Sequence, residues 1–435
     1  MVHQRIRAHF QEEAQMKSNV EASFPMTMRT TRFICRTAPA AGSLFGLIIG
    51  LVVAPGLRAQ VTNGKKPELP PPFASKSATN PAEEGKPSKG FLPTVPQGFK
   101  INVFAADFKG PRWMVIAPNG DVFLADTAGG RVVVLRDPQH TGSAQVNEVF
   151  ASGLREPYGI VFHDDYVYVG DTDALLRFKY DPKTSKRQGE AEHLMDLPTG
   201  GHSTRSLSMA PDGKHLLVGI GSASNISIES DTRRGAITIC DVDGKNARLY
   251  ATGIRNPTGI GLEPKTGILW TSVNERDGLG NDLPPDYFTS VKDGGFYGWP
   301  YSYIGDNIDP RVKPQRPELT SKATVPDVLL GAHRAPLQFA FYTGNQFPAS
   351  YHGGAFVAEH GSWNRSPRAG YQVVFVPFKD GKPSGDPTPF LTGLVPDPQQ
   401  NEVYGRPVGV AVTIDGSLLV SDDMAGTVYR ISAAK

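Results

Sequence analysis

Beyond residue 95 the chain alternates short apolar runs with polar turns, and one unit of that pattern recurs. Each copy opens on proline or a polar residue, runs on as an apolar strand, turns, and returns as a second apolar strand ending in aspartate or a small residue. The copies begin at Pro111 (PRWMVIAPNGDVFLAD), Pro157 (PYGIVFHDDYVYVGD), Thr204 (TRSLSMAPDGKHLLVG), Pro257 (PTGIGLEPKTGILWTS), Pro336 (PLQFAFYTG, then GGAFVAEHG) and Pro407 (PVGVAVTIDGSLLVSD). Asn119-Gly120, Asp212-Gly213 and Asp415-Gly416 lie between the two strands of three copies, where a tight reversal needs positive φ. A further strand follows several copies, as in Arg131–Arg136 and Thr427–Ile431.

Six copies of a multi-strand unit predict an all-β fold, a six-bladed β-propeller with four-stranded blades. A β-sandwich, or two separate β domains, is the competing arrangement. The first four copies are spaced like propeller blades. Surplus chain falls in residues 276–335 and 379–404, and long loops on a rigid ring are where binding is expected.

The N-terminal region departs from the pattern. Arg29, Arg32 and Arg36 precede an apolar stretch, Leu44 to Ala54, and a small-residue exit at Leu57-Arg58-Ala59-Gln60. That order reads as a secretory signal peptide over residues 1–59, with Met26 or Met28 as alternative starts. The apolar core is short for a membrane span, so no stable span is expected after cleavage, and the protein is expected to be periplasmic or secreted. Residues 60–92, rich in Pro, Lys and Ser, read as a disordered linker, which leaves 93–435 for the propeller.

Composition adds little that is positive. The 47 glycines and 37 prolines suit many short strands and turns. The formal charge of +2, from 45 basic and 43 acidic residues, gives no field for nucleic acid. Of the two cysteines, Cys35 lies in the predicted leader and Cys240 in an apolar strand, so no internal disulfide is expected. There is no C-x-x-C-H haem motif and no G-x-G-x-x-G between strand and helix, so neither covalently attached haem nor a nicotinamide cofactor is expected.

Candidate chemistry gathers in the segments that lead into the blades, because the same offset in every blade points to one face of the ring. Gly200-Gly201-His202-Ser203-Thr204-Arg205 leads into the third copy, Gly253-Ile254-Arg255-Asn256 into the fourth and Tyr404-Gly405-Arg406 into the sixth. His360-Gly361-Ser362-Trp363-Asn364-Arg365 follows a strand of the fifth. A histidine with several arginines in one mouth suits proton abstraction beside an anionic group.

These residues resemble the glucose/sorbosone dehydrogenase family of soluble quinoproteins, nearer its sorbosone branch, over roughly residues 95–433. The stretches that carry the resemblance are GHSTRSLSMAPDGK (201–214), GIRNPTGI (253–260), VNERDGLGNDLPPDYFT (273–289), GGFYGWPY (294–301), HGSWNR (360–365) and GRPVGVAV (405–412). The resemblance implies oxidation of a sugar-like alcohol or aldehyde with pyrroloquinoline quinone (PQQ) and calcium as cofactors and, with no haem motif in the chain, an external electron acceptor, a cytochrome or a quinone. It implies His202 as the base, ionising between about pH 6 and 7 unless the neighbouring cation shifts it, and Arg255 as the group that stabilises charge on the quinone oxygen. Asn256 and Arg406 match cofactor contacts, and His360 stands where the glucose-oxidising branch carries a lysine. The carbonyls of Glu275 and Arg276 match a calcium site, which needs oxygen ligands but no acidic side chains. Gly201 replaces a carboxylate that holds sugar in that branch, so its substrate preference does not transfer. Asp277, Asp282 and Asp286 read as a solvated loop, with a second calcium site as the alternative. Two other functions compete: a non-catalytic binding propeller, and a calcium-dependent propeller lactonase.

Overall fold

The structure, a computed structural model, describes residues 58–434; the predicted leader and Cys35 lie outside them. The ring has six four-stranded blades. Blade 1 is Pro111–Ile116, Val122–Asp126, Arg131–Arg136 and Val146–Ser152. Blade 2 is Ile160–His163, Tyr166–Gly170, Ala174–Asp181 and Lys186–Asp196. Blade 3 is Arg205–Met209, His215–Ile220, Ala236–Asp241 and Arg248–Thr252. Blade 4 is Pro257–Leu262, Leu269–Val273, Pro285–Val291 and Val328–Ala332. Blade 5 is Pro336–Phe341, Ala355–Glu359, Gln372–Val376 and Thr388–Leu391. Blade 6 takes Pro407–Val412, Leu418–Asp422 and Thr427–Ala433 from the end of the chain and its outer strand, Phe99–Ala105, from the beginning. That exchange closes the ring and leaves no open blade edge between first and last units.

The strands are apolar on both faces because each blade is covered on both sides. In blade 1, Phe123 packs toward blade 2 with Phe150, Tyr158 and Phe178, while its neighbours Val122 and Leu124 pack toward blade 6 with Phe104 and Leu419. Comparable clusters fill the remaining interfaces. Cys240 lies in the cluster between blades 2 and 3, and burial pushes its thiol up to about 12. The inner strands approach so closely that glycine and serine mediate the contacts. Gly159 N donates to the Arg205 carbonyl at 3.0 Å, Ser206 Oγ to that of Pro257 at 2.7 Å and Ser421 Oγ to that of Arg112 at 2.6 Å. The expected turn glycines, Gly120, Gly213 and Gly416, all have positive φ.

Residues 60–92, expected as a disordered linker, instead form a strap on the ring. Gln60–Val61 extends the blade 4 sheet at Val328 and Leu329, and Glu83–Glu84 pairs with Glu402 and Val403. Between them Phe73 N donates to the Leu279 carbonyl at 2.7 Å and Asn80 N to that of Trp363 at 2.7 Å. Composition misjudges this segment because its few apolar side chains are spent on the ring's clusters and not on a core of its own. Val61, Leu69, Ala82 and Phe91 each pack against one. The surplus after blade 4's third strand is also ordered, with Gly295–Phe296 added in parallel to blade 3's outer strand and a short helix at Pro317–Thr320.

Candidate functional site

Every inner strand crosses the ring in the same sense, so the segments leading into them fall on one face. In blade 3 the lead-in folds tightly over residue 223: Gly201 has φ +64°, and a Cβ there would lie 2.2 Å from Ala223 Cα. The turn delivers His202, whose backbone N–H donates to the Ser222 carbonyl at 3.0 Å. The ring Nδ1 lies 2.8 Å from that same oxygen. A carbonyl only accepts, so Nδ1 carries the proton and Nε2 keeps the lone pair. Burial, and after it the Arg255 charge, lowers the His202 pKa to about 4. The ionisation expected between 6 and 7 therefore lies well below neutrality, and Nε2 is a free base at physiological pH.

Two buried arginines brace this lead-in. Arg205 donates to the carbonyls of Thr172 (3.0 Å), His202 (3.1 Å) and Thr204 (2.6 Å), and Arg234 to those of Gly221 (3.0 Å), Thr199 (2.6 Å) and Gly200 (2.6 Å). Burial, reinforced by the Arg234 charge, lowers Arg205 to about 10, still charged at neutral pH. Gly221 lets His202 and blade 4 meet, since a Cβ at that position would lie 2.4 Å from Asn256 Oδ1 and 2.6 Å from His202 Cβ.

Blade 4 contributes Arg255 and Asn256, both buried. The Arg255 guanidinium donates to the Asn225 carbonyl (3.2 Å) and Oδ1 (3.1 Å) and to the Glu275 carbonyl (2.8 Å), and faces Asp277 at 3.5 Å. Its longer contact, 3.4 Å to the Asn274 carbonyl, and the Asp277 pair are the two most easily given up for an incoming oxygen. Of the expected carbonyl pair, Glu275 O faces Arg255. The Arg276 side chain is fully buried, bonded to Glu275 Oε2 (3.0 Å), the Pro300 carbonyl (2.7 Å) and Asp309 (3.3 Å), where it fixes the loop's shape. Asn256 Oδ1, Asn274 Oδ1 and Glu275 Oε1 are buried with no hydrogen-bond partner among the described residues, an uncommon concentration of unsatisfied acceptors.

The acidic run is not a solvated loop. Asp286 is buried, accepts the N–H groups of Glu275 (2.7 Å) and Ala335 (2.8 Å), and is pushed by burial to about 7. Asp282 pairs with Arg365 at 2.7 Å. Asp277 joins the blade 4 loop to blade 5, because Asn364 Nδ2 donates to it at 2.6 Å and to His333 Nδ1 at 3.1 Å. Charge spacing alone hid this role, which depends on chain 87 residues away.

His360 and Arg406 form a second group with two residues the sequence did not single out, Asp423 and Arg112. His360 Nε2 lies 2.9 Å from Asp423 Oδ1, and Arg112 pairs with the other carboxylate oxygen. Although burial opposes ionisation, the His360, Arg112 and Arg406 charges hold Asp423 well below the usual carboxylate range. Burial, then Arg406, lowers His360 to about 4. The Arg406 guanidinium reaches the His360 and Gly361 carbonyls only at 3.2 Å each and lies 5.8 Å above the Tyr371 ring. The loop 360–368 connects the groups, carrying His360 at one end and Asn364 to Asp277 farther along. Ser222, Asn225, Arg205 and Arg234 had no sequence signal beyond lying in or near the motif stretches.

The TrAA12-like family model matches residues 93–284 and 309–434. The chain belongs to the TrAA12-like family. The segment left unmatched, 285–308, is blade 4's third strand and the first part of the excursion that follows it. The TrAA12-like chain is 24% identical over 412 residues to the PQQ-dependent pyranose dehydrogenase of Coprinopsis cinerea, covering 80% of this chain and 55% of that protein. The holo PQQ domain of that enzyme superimposes with a TM-score of 0.69 at 22% identity, over 80% of this chain and 98% of the domain. A calcium structure of the Trichoderma reesei AA12 enzyme gives 0.68 at 21% identity, over 83% and 100%. At these identities the superpositions establish the fold. The expected resemblance to soluble PQQ sugar dehydrogenases holds.

Proposed function

We propose that this protein oxidises a sugar-like alcohol or aldehyde, of aldose or sorbosone type, using PQQ and calcium, and passes the electrons to an external cytochrome or quinone. The observation that carries the reading is His202, a neutral imidazole with Nδ1–H committed to Ser222 and Nε2 unprotonated beside Arg255. The names of the relatives support it, since those proteins are described as PQQ-dependent sugar dehydrogenases.

The residues present fit both cofactors. The unsatisfied oxygens of Asn256, Asn274 and Glu275, with the Glu275 and Arg276 carbonyls, are the oxygen donors a hard cation prefers. Arg406 holds only long contacts and has a fork suited to a cofactor carboxylate, and His360 lies beside it. Bound there, PQQ with calcium supplies a two-electron acceptor for the hydride of the substrate carbon. His202 Nε2 takes the hydroxyl proton as that carbon's C–H bond breaks. Arg255 provides positive charge where negative charge develops, already oriented by Asn225 and Glu275. Asp277, whose charge acts on His202 in the opposite sense to that of Arg255, moderates the guanidinium's effect on the base. Export to the periplasm or beyond, read from the leader, belongs to the same proposal.

Reconstitution tests it. Purified protein mixed with PQQ and calcium should bind the quinone, and its absorbance should convert to the reduced form on adding an aldose or keto-aldehyde. Quinone that binds and stays oxidised with every sugar offered would leave a binding propeller as the better reading.

A further inference from the structure

The strap does more than close the ring's outer surface. Where it crosses the face that carries the site, a cavity of about 650 Å³ opens between Ser75, Lys76, Ser77 and Thr79 of the strap and Asn281 and Ser366 of the blade 4 and blade 5 loops. The walls are fixed: Asn281 N donates to Ser75 Oγ at 3.0 Å, Ser366 N to Asn281 Oδ1 at 2.8 Å, and Arg365 ties Asp282 to the same corner at 2.7 Å. Asn80, just beyond, anchors the strap through Nδ2 to the Arg365 carbonyl at 3.0 Å and accepts Arg368 Nη2 at 2.9 Å. Several polar groups of the lining residues are left over from these contacts. Asn281 Nδ2, the hydroxyls of Ser77, Thr79 and Ser366, and Lys76 Nζ have no hydrogen-bond partner among the described residues.

We infer that this groove is a subsite for a second sugar unit, so that the substrate class extends to oligosaccharides and glycosides. The inference rests on the oxidoreductase reading above for what enters the mouth. Neutral hydroxyl and amide groups outnumber the one cation, which suits a polyhydroxylated neutral ligand; an anion would call for convergent arginines or lysines. Phe73, 56% exposed on the strap two residues before Ser75, offers an apolar ring of the kind on which a sugar face can lie. The groove also begins where the site ends. Asn281 follows Asp277 in one loop and Ser366 follows Asn364 in the other, and Asp277 and Asn364 are bonded at 2.6 Å.

Binding can be read without turnover, so the groove and the oxidation chemistry fail separately. Titration calorimetry of the full chain, without added PQQ, would use the end-reduced probes maltotriitol and cellotriitol against glucitol. At least one trimer should bind at least about tenfold more tightly than glucitol, a difference a few hydrogen bonds can supply. The Ser77→Trp/Thr79→Trp protein should lose that advantage, and Ser77→Ala/Thr79→Ala should lose part of it while folding normally. Equal binding of trimers and glucitol, or an advantage untouched by the tryptophans, overturns the inference. If trimers bind but no sugar reduces added quinone, the subsite stands and the oxidation reading falls.

Discussion

Blades 1, 2 and 6 and blades 3 and 4 solve the same local problem in opposite ways. At the end of the second strand, the first set places a carboxylate that clasps the segment leading into its own inner strand. Asp126 Oδ1 accepts the N–H groups of Lys109 (3.0 Å) and Gly110 (2.8 Å), Asp171 accepts that of Arg155 (2.7 Å), and Asp422 that of Arg406 (2.9 Å). Blade 5 uses Glu359 with Arg334 in the same place, at 3.2 Å. In blades 3 and 4 the equivalent positions are Gly221 and Val273, the latter paired with Pro257 as Asp126 is with Pro111, and the clasp becomes a backbone bond: His202 N to the Ser222 carbonyl and Asn274 N to the Asn256 carbonyl. Giving up the carboxylate leaves room for the side chains of His202, Arg255 and Asn256 and leaves the lone pair of His202 Nε2 free of a neighbouring carboxylate clasp. Blades 1, 2 and 6 keep the clasp, blade 6 beneath Arg406, and the two blades that carry the base and its cation lack it.

Restoring the clasp in blade 3 should have the largest effect. The Gly221→Asp side chain would occupy the space of Asn256 Oδ1 and His202 Cβ, so quinone uptake and turnover should both be abolished in a protein that circular dichroism still shows as all-β. Wild-type reconstitution in that variant would mean the absence of a carboxylate there is incidental.

Next is Arg255→Lys, which keeps the charge but not the fork that spans Asn225 and Glu275. Turnover should fall by roughly ten- to a thousandfold, as for loss of a single oxyanion donor, with a smaller change in quinone affinity. Unchanged kcat would reduce Arg255 to a structural brace.

Removing a clasp from a structural blade should do the reverse. Asp126→Ala leaves two N–H groups and Arg131 without their acceptor, at a cost of about 3 kcal/mol. Denaturant titration should show that loss while kcat in the folded protein stays close to wild type.

The smallest effect is a pH slope. Burial pushes Asp422 up to about 7, so the folded state holds a proton there that the unfolded chain releases above the ordinary carboxylate range. Its contribution to stability is present at acid pH and lost as pH rises through about 7. His202, lowered from 6.5 to about 4, contributes with opposite sign and loses stability as pH falls through that window. The stability of Asp422→Asn relative to wild type should therefore rise as pH goes from about 4 to 7, measured by thermal melting of the two proteins across that range. An identical slope would show that Asp422 is ionised throughout.

These contrasts also mark what the sequence made legible. The aspartate closing VFLAD and LLVSD was visible as part of the repeat, because a strand-end carboxylate bonds nearby chain and recurs at fixed spacing. His202, Arg255, Asn256 and Arg406 were visible through motif stretches whose residues are adjacent. Asp277, Asp423, Arg112 and Arg234 were not, because each acts on a partner that only the fold brings close: the lead-in of its own blade for Arg234, the next blade for Asp277, and the far end of the chain, through closure of the ring, for the Arg112–Asp423 pair. The strap was misread because its stability comes from surfaces elsewhere on the chain, which local composition does not record.

The account stands most directly on His202. Stopped-flow mixing of substrate with protein preloaded with PQQ and calcium should show quinone reduction at least about a hundredfold slower in His202→Asn than in wild type, the lower end for loss of a positioned base, with quinone loading unchanged. The wild-type rate should hold steady from neutral pH down toward the lowered His202 pKa of about 4. Reduction at the wild-type rate in the asparagine variant would contradict the assignment of His202 as the base.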